Sequence, residues 1–378
     1  MPESGESSET ADPPPRRRKA HLAPLPVLAL LALALGWFWR GDDAGAVREF
    51  EVMRTYARIA IPAGSGSHLP ASDLADLAEK AVREVDALMS PFGGDSDVRR
   101  LNEAPAGAWV EVNPLTWRVV MEALRWHRLS EGAFDPTIGP VKGLFQFNRT
   151  EVDSWPDAQT LAEARERVGA EKLLFDREGM RLSWERDGMI LDLGAIAKGF
   201  AVDRAAEVIA AQGVKNAIID VGGELRLLGQ KPGEPPAPWR VGIRHPRDEG
   251  RTLETLELSG QAVATSGDYE NFFVHQGRRY EHIIDPRSGL PLTGGAASVT
   301  VIHPQSCLAA DAMATTLCVL GSDQIDEFMR RQARGLFSRG VRAIVLLVGP
   351  DGGLRRREFN LDQAGALRIE DNPVGEGE

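Results

Sequence analysis

The chain has 378 residues, 43% of them hydrophobic and 26% charged, with a formal net charge of −11. This is ordinary globular composition, long enough to bury a sizeable core as one large domain or as two lobes, and the negative balance argues against nucleic acid, which wants a basic face. Only Cys307 and Cys318 occur, so neither a disulfide framework nor a multi-cysteine metal site is open to the chain; the two either pair or serve as buried small apolar residues, and burial is the expected role.

Residues 1–15 are rich in Ser, Glu and Pro without apolar period, and Arg16, Arg17, Arg18 and Lys19 follow as a basic block, so 1–21 is expected to be a disordered basic N-terminus. Residues 22–39 then carry no charge and end in Trp37, Phe38 and Trp39. At about 1.5 Å per residue a helix of that length is close to the span of a bilayer's hydrocarbon core, with aromatics of the kind that sit at its interface. Positive residues ahead of the span place the N-terminus in the cytoplasm and everything after Arg40 outside. The alternative is a cleaved signal peptide, since Ala44-Gly45-Ala46 has the small-x-small form of a cleavage site; Arg40, Asp42 and Asp43 would charge the region before that cut, which favours a retained anchor. Both readings export the body of the chain.

Within the body, Phe50, Val52, Tyr56, Ile59 and Ile61 read as a strand with breaks over 49–62. Ser72 is the expected cap of a helix whose apolar stripe is Leu74, Leu77, Ala78, Ala81, Val82, Val85, Leu88 and Met89. A second helix starts at Asn113 as cap with Pro114 in its first turn. Residues 156–168 form a helix candidate, followed by short strands near 172–175 and 180–184. Further strands are expected at 217–221, 239–243, 252–258, 262–265, 297–302 and 343–348, with a helix at about 309–320 and a loose tail over 368–378. Strands and helices mix without strict alternation, which predicts an α+β fold.

The stretch Leu191-Asp-Leu-Gly-Ala-Ile-Ala-Lys-Gly-Phe-Ala-Val-Asp203 joins a short apolar strand at 189–193 to a helix marked by Val202, Ala205, Ala206 and Ile209 and ended by Gly213. Such a turn offers free N–H groups and the positive end of a helix dipole to a phosphate, with Asp192 and Lys198 on its flanks; a plain packing unit uses the same glycines for tight geometry. Asp311 and Thr315 lie one helical turn apart, so their oxygens share a face. A carboxylate, a hydroxyl and nearby carbonyls suit Mg²⁺, whereas a helix start with Asp311 offsetting its dipole and Thr315 bonding back to the chain needs no metal.

Taken with that central stretch, Gly132-Ala-Phe-Asp-Pro136, Asp220-Val-Gly-Gly-Glu224, Glu281-His-Ile-Ile-Asp-Pro-Arg-Ser-Gly289 and Ala310-Asp-Ala-Met-Ala-Thr-Thr316 closely resemble the ApbE family, flavin transferases that move FMN from FAD onto a threonine or serine of a target protein. The resemblance runs from about Met53 to Gly321. It implies an ApbE-like domain of mixed sheets and packed helices over 47–367, which the apolar span at 22–39 would precede as one N-terminal transmembrane helix. It also implies Mg²⁺ held by Asp311, Thr315 and the carbonyls of Ala195 and Ala314, and an FAD site lined by Met53, Phe92, Ala133, Phe134, Asp135, Asp192, Lys198 and Ile284. The sequence departs from the family at Arg54, where glycine is usual, and at Phe92, where tyrosine is frequent.

His282 is the candidate general base, because its ordinary pKa is near neutral and an acceptor hydroxyl must lose a proton; a structural histidine is the alternative. The alternative reading of Asp268, in Thr265-Ser-Gly-Asp-Tyr269, is as a loop residue in the flavin pocket. The implied activity is Mg²⁺-dependent transfer of FMN to an exported redox protein, with AMP released, on the outer or periplasmic side of a bacterial cytoplasmic membrane. An FAD pyrophosphatase using the same metal site and a flavin-binding protein without catalysis are the competing readings.

Overall fold

The computed structural model describes residues 45–374 apart from 148, 150, 153, 334–338, 350–352 and 365. The expected disordered segment 1–21 and apolar span 22–39 lie outside the described residues, among which no helix is long and apolar enough to cross a membrane.

Nine strands, numbered along the chain, build the main sheet: β1 Ala46–Val52, β2 Thr55–Ile61, β3 Ala217–Val221, β4 Glu224–Leu228, β5 Ala262–Gly267, β6 Ala296–His303, β7 Val341–Val348, β8 Leu354–Leu361 and β9 Leu367–Pro373. They neighbour one another in chain order, and every pairing is antiparallel. The sheet is therefore an up-and-down meander into which everything else is inserted. Antiparallel alternation sends the β1–β2, β3–β4 and β5–β6 connections to one end of the sheet. The first two are tight turns. The third, residues 268–295, carries the hairpins Phe272–His275 with Arg278–Glu281 and Ile284–Asp285 with Leu290–Pro291.

The helices come from the other connections. Between β2 and β3 lie α1 Ala71–Met89, α2 Asp97–Glu103, α3 Pro114–Leu129, α4 Gly139–Lys142, α5 Ala158–Arg165 and α6 Ala197–Ala211, while α7 Cys307–Ala333 follows β6 and is broken at Gly321 (φ 62°, ψ −174°). The apolar stripe of α1 packs on α6, β1 and β2, and α6 is wedged between α1, α7, β3 and β4. That position explains why α6 buries Phe200, Ala201, Val202, Ala205, Ala206 and Ile209, more than one face of an amphipathic helix. A smaller core of Val141, Phe145, Val152, Ala164, Phe273 and Ile284 lies under the 268–295 insertion. Cys307 and Cys318 are both buried and unpaired.

Local chemistry accounts for much of this. Asn113 Oδ1 accepts from Leu115 N–H at 2.9 Å with Pro114 in the first turn, as the sequence predicts. Ser72 does not cap α1: Pro70 stands at that place without a side-chain bond, and the Ser72 hydroxyl turns to Asp73 instead. The strand expected over 49–62 is a hairpin, folded back at Met53-Arg54. Residues 189–193 form no ladder beyond a bridge from Ile190 to Ile138. The chain also does not come loose at 368, because Leu367–Pro373 pairs with β8 along its whole length.

The contact of α6 with α7 depends on a glycine. A Cβ built on Gly199 runs into the Cys307 carbonyl and lies 2.8 Å from Leu308 Cα, backbone that cannot swing aside. Gly199→Ala is expected to destabilise the domain by about 1 to 3 kcal/mol, the usual range for overpacking, read as a lower urea midpoint; an unchanged midpoint would show that the helices have slack.

Candidate active site

The turn into α6 differs from the open phosphate cradle its sequence suggests. Ile196, at the cap position, makes no side-chain bond, yet the amides beyond it are largely occupied. Ala197 N–H donates to Leu193 O at 2.8 Å, and Gly199 N–H donates to Asp311 Oδ2 of α7 at 3.0 Å. Asp311 thus caps a neighbouring helix, whereas the metal-free alternative in the sequence had it offset the dipole of its own.

Lys198 points to the same place. Its ammonium lies 2.5 Å from Glu224 Oε1 at the start of β4, with Glu270 and Asp311 also acting on it. Burial works against the charged ammonium, but these three carboxylates overcome it and hold its pKa above the ordinary lysine value. The carboxylates respond in the opposite sense. Burial raises Asp311 to about 6 and pushes Glu224 well up, against the pull of Lys198. Asp220, near the end of β3 and first in the motif that runs to Glu224, is raised to about 6 by burial although Gly223 N–H donates to it at 2.9 Å.

A second group stands beside the first. Asp192 accepts from Lys142 Nζ at 2.7 Å and from Gly194 N–H at 2.8 Å, and its own amide donates to Pro136 O at 2.7 Å. Burial opposes ionisation of Asp192, but Lys142 and the Gly194 amide hold the carboxyl below its ordinary value. His282 lies within electrostatic reach of Asp192, Lys142 and Lys198, and its pKa falls to about 4, first through burial and then through the two ammonium groups. Its Nδ1 is 3.1 Å from Asn271 O. A carbonyl only accepts, so Nδ1 carries the hydrogen and Nε2 is left as the basic nitrogen.

The remaining expected residues divide. Asp135 accepts from Thr137 N–H at 2.8 Å, Thr137 Oγ1 at 2.6 Å and Ala170 N–H at 3.3 Å, so it ties its own loop together; burial lifts its pKa. Ala133 and Phe134 bury their side chains in the main core and Ile284 in the smaller one, which leaves their backbone as the part able to meet a ligand. A cavity of about 470 Å³ is lined by Gly132, Asp135, Pro286 and Arg287, joining two of the sequence motifs, together with His127 and Arg165. It does not include Lys198, Glu224 or Asp311. Met53 and Phe92 stand at the β1–β2 turn, where Arg54 lies over the Phe92 ring. Asp268 is buried in a two-pronged pair with Arg247, both contacts 2.6 Å, and belongs to the insertion's framework. Lys142, Glu224 and Glu270 were not singled out in the sequence. Glu224 stood in a quoted motif, whereas Lys142 and Glu270 carry no local signal.

No group of three or more His, Cys, Asp or Glu side chains poised for a metal occurs among the described residues. The donors at Asp311 are oxygens of another kind. Thr315 is one turn further along α7, its hydroxyl 3.3 Å from Ser266 Oγ, Ala314 precedes it in the helix, and Ala195 lies in the turn before α6. Glu224 Oε2 is buried without a partner, and three carboxylates share one ammonium. That surplus of hard oxygen and negative charge fits a divalent cation such as Mg²⁺ and does not suit softer metals.

The model of the ApbE family matches residues 53–337. The chain belongs to the ApbE family. A Vibrio cholerae protein named FAD:protein FMN transferase is 38% identical over 248 residues, covering 65% of this chain and 73% of that protein. The protein of the same name from Escherichia coli K12 is 30% identical over 328 residues, 82% of this chain and 91% of its own. Among solved structures, the flavin transferase ApbE from Vibrio cholerae superposes with a TM-score of 0.72 at 31% identity, covering 84% of this chain and 97% of its own. The ApbE protein of Thermotoga maritima gives 0.71 at 29%, covering 82% and 96%. The α+β architecture agrees with both.

One consequence is measurable in metal-free protein. The folded pKa of Asp311, about 6, lies above its ordinary value of 3.8, so its charge costs stability above pH 6 and the cost vanishes as both states protonate below about pH 4. With EDTA present, Asp311→Asn is expected to be more stable than wild type at pH 7, by on the order of 2 kcal/mol, and no more stable at pH 4. A less stable variant at pH 7 would mean that the charged cap on Gly199 outweighs burial.

Proposed function

We propose that this protein transfers FMN from FAD to a serine or threonine hydroxyl of another exported protein, with Mg²⁺ bound at Asp311 and Thr315. The observation that carries the reading is the convergence of the family's separated motifs at one end of the sheet, around a neutral histidine flanked by two lysines. The hydroxyl oxygen attacks the FMN-side phosphorus of FAD, the bond to the second phosphate breaks, and AMP leaves with its electron pair. The hydroxyl proton passes to His282 Nε2, which is unprotonated at neutral pH and held by Asn271 through Nδ1. Lys142 and Lys198 depress that imidazole; phosphate bound beside them offsets their charge, so the base strengthens when substrate is in place. Lys142 and Asp192 orient each other, as do Lys198 and Glu224. The bound Mg²⁺ would supply charge neutralisation at the pyrophosphate.

The competing hydrolytic reading uses the same residues with water in place of the hydroxyl. Incubation with FAD, Mg²⁺ and an exported acceptor, read by mass spectrometry, separates the two: FMN covalently on the acceptor supports transfer, whereas free FMN and AMP without modified acceptor mark hydrolysis. Asp311→Asn is expected to abolish transfer while remaining folded. His282→Ala is expected to lose about 10²- to 10⁴-fold in rate, the span of a general base; wild-type rates in either variant would remove that residue from the mechanism.

The same reading places the body outside the cytoplasmic membrane of a bacterium, anchored by residues 22–39. It rests on the length, apolarity and flanks of that stretch. Cell fractionation is expected to find the protein with the membrane, and a mature chain beginning at Val47 in a soluble fraction would overturn the anchor.

A further inference from the structure

The β1–β2 connection is two residues long, and both have left-handed backbone: Met53 at φ 50° and Arg54 at φ 59°. Two-residue hairpins ask for that conformation, which glycine and asparagine meet with least strain; here a methionine and an arginine adopt it. The turn is held by the Val52 to Thr55 pairing on either side and by Met53 N–H donating to Asp86 Oδ2 at 3.2 Å. Strain that the surroundings maintain points to a use for the side chain it presents.

That side chain has no carboxylate partner among the described residues. The Arg54 guanidinium instead lies 4.8 Å from the centre of the Phe92 ring. Phe92 is 71% exposed, the most open of the large hydrophobic residues among those described, so one face of its ring is covered by the arginine and much of the rest meets water. The Met53-Arg54 turn neighbours the β3–β4 turn that leads into the ion cluster. Gly222 N–H donates to Tyr56 O at 2.9 Å, which sets the Met53-Arg54 turn beside Gly222-Gly223, and Glu224, the partner of Lys198, follows at once.

We propose that Arg54 is a positioning residue for the flavin substrate: it holds the Phe92 ring at the mouth of the site so that the free face stacks on a planar ring of FAD. The inference rests on the FAD-binding function proposed above. A phenyl ring on the surface turns freely, and a cation over one face fixes it and leaves the other for a second flat partner. FAD carries two such partners, the isoalloxazine and the adenine, and the chemistry of the stack is common to both.

The experiment measures FAD affinity and melting temperature for wild type, Arg54→Gly, Phe92→Ala and the double variant. Glycine relieves the left-handed strain, so Arg54→Gly is expected to melt no lower than wild type. It is nevertheless expected to bind FAD about two- to fivefold more weakly, the loss expected of an exposed cation–π contact. The double variant is expected to bind no more weakly than Phe92→Ala alone, because the arginine acts through the ring. Repeating the titration with FMN and with AMP names the ring, as only the ligand that contains it loses affinity in Arg54→Gly. Wild-type affinity in Arg54→Gly, or losses that multiply in the double variant, would overturn the proposal while leaving the enzyme's function standing. Wild-type protein that binds no FAD would overturn both.

Discussion

Two helix starts that cap each other fix the geometry on which the rest of the site depends. Asp311 of α7 accepts from the Gly199 amide in the first turn of α6, and Asp203 of α6 accepts from the Cys307 and Leu308 amides, at 2.8 and 3.0 Å, in the first turn of α7. Each carboxylate sits where a helix carries its partial positive charge and leaves amides unsatisfied. Both are buried, so each bond would be costly to lose. The lock works only because Gly199 lets the two backbones touch. Its consequence is positional: α7 is held in register against α6, and with it Asp311 and Thr315 are held against Lys198.

The meander explains why the chemistry gathers where it does. An up-and-down sheet returns to the same end at every second connection, so residues near positions 54, 222, 268 and 284 come to one end of it without any long-range crossing of strands. The connections at the opposite end carry the long helical insertion, whose final helix brings Lys198 back up to Glu224. The sheet is the frame, and the site is assembled from its turns and one insertion, which is where an irregular backbone has room to present side chains.

How far the sequence reveals this depends on the range of the interaction. Local chemistry was legible: Asn113 with Pro114 started α3, Gly213 followed the end of α6, and the apolar run at 217–221 became β3. The family motifs gave the residues that converge. The β8 and β9 strands were not legible, because Arg355, Arg356 and Arg357 in one and Glu370 and Asp371 in the other mask any alternation of apolar and polar positions. β9 is the edge strand and β8 its only neighbour in the sheet, and the two are joined by cross-strand pairs, such as Arg357 with Asp371, that only the fold brings together. The partners of the site residues were hidden for the same reason. Lys142 is 50 positions from Asp192 and Lys198 is 26 from Glu224, and nothing in either neighbourhood marks the other.

Asp311 raised a choice in the sequence between helix electrostatics and metal binding, and the structure makes the two compatible. A carboxylate has two oxygens, and the cap on Gly199 uses only Oδ2. Capping also orients the group, because a carboxyl fixed at one oxygen cannot rotate the other away. Its charge is matched only in part, by a single lysine already paired to Glu224. A carboxylate oriented by one bond and left short of positive charge is a better cation ligand than a free one, since its conformational entropy has been spent in folding. The cap and the proposed ligand would thus be one device, and the helix contact at Gly199 holds this carboxylate in position.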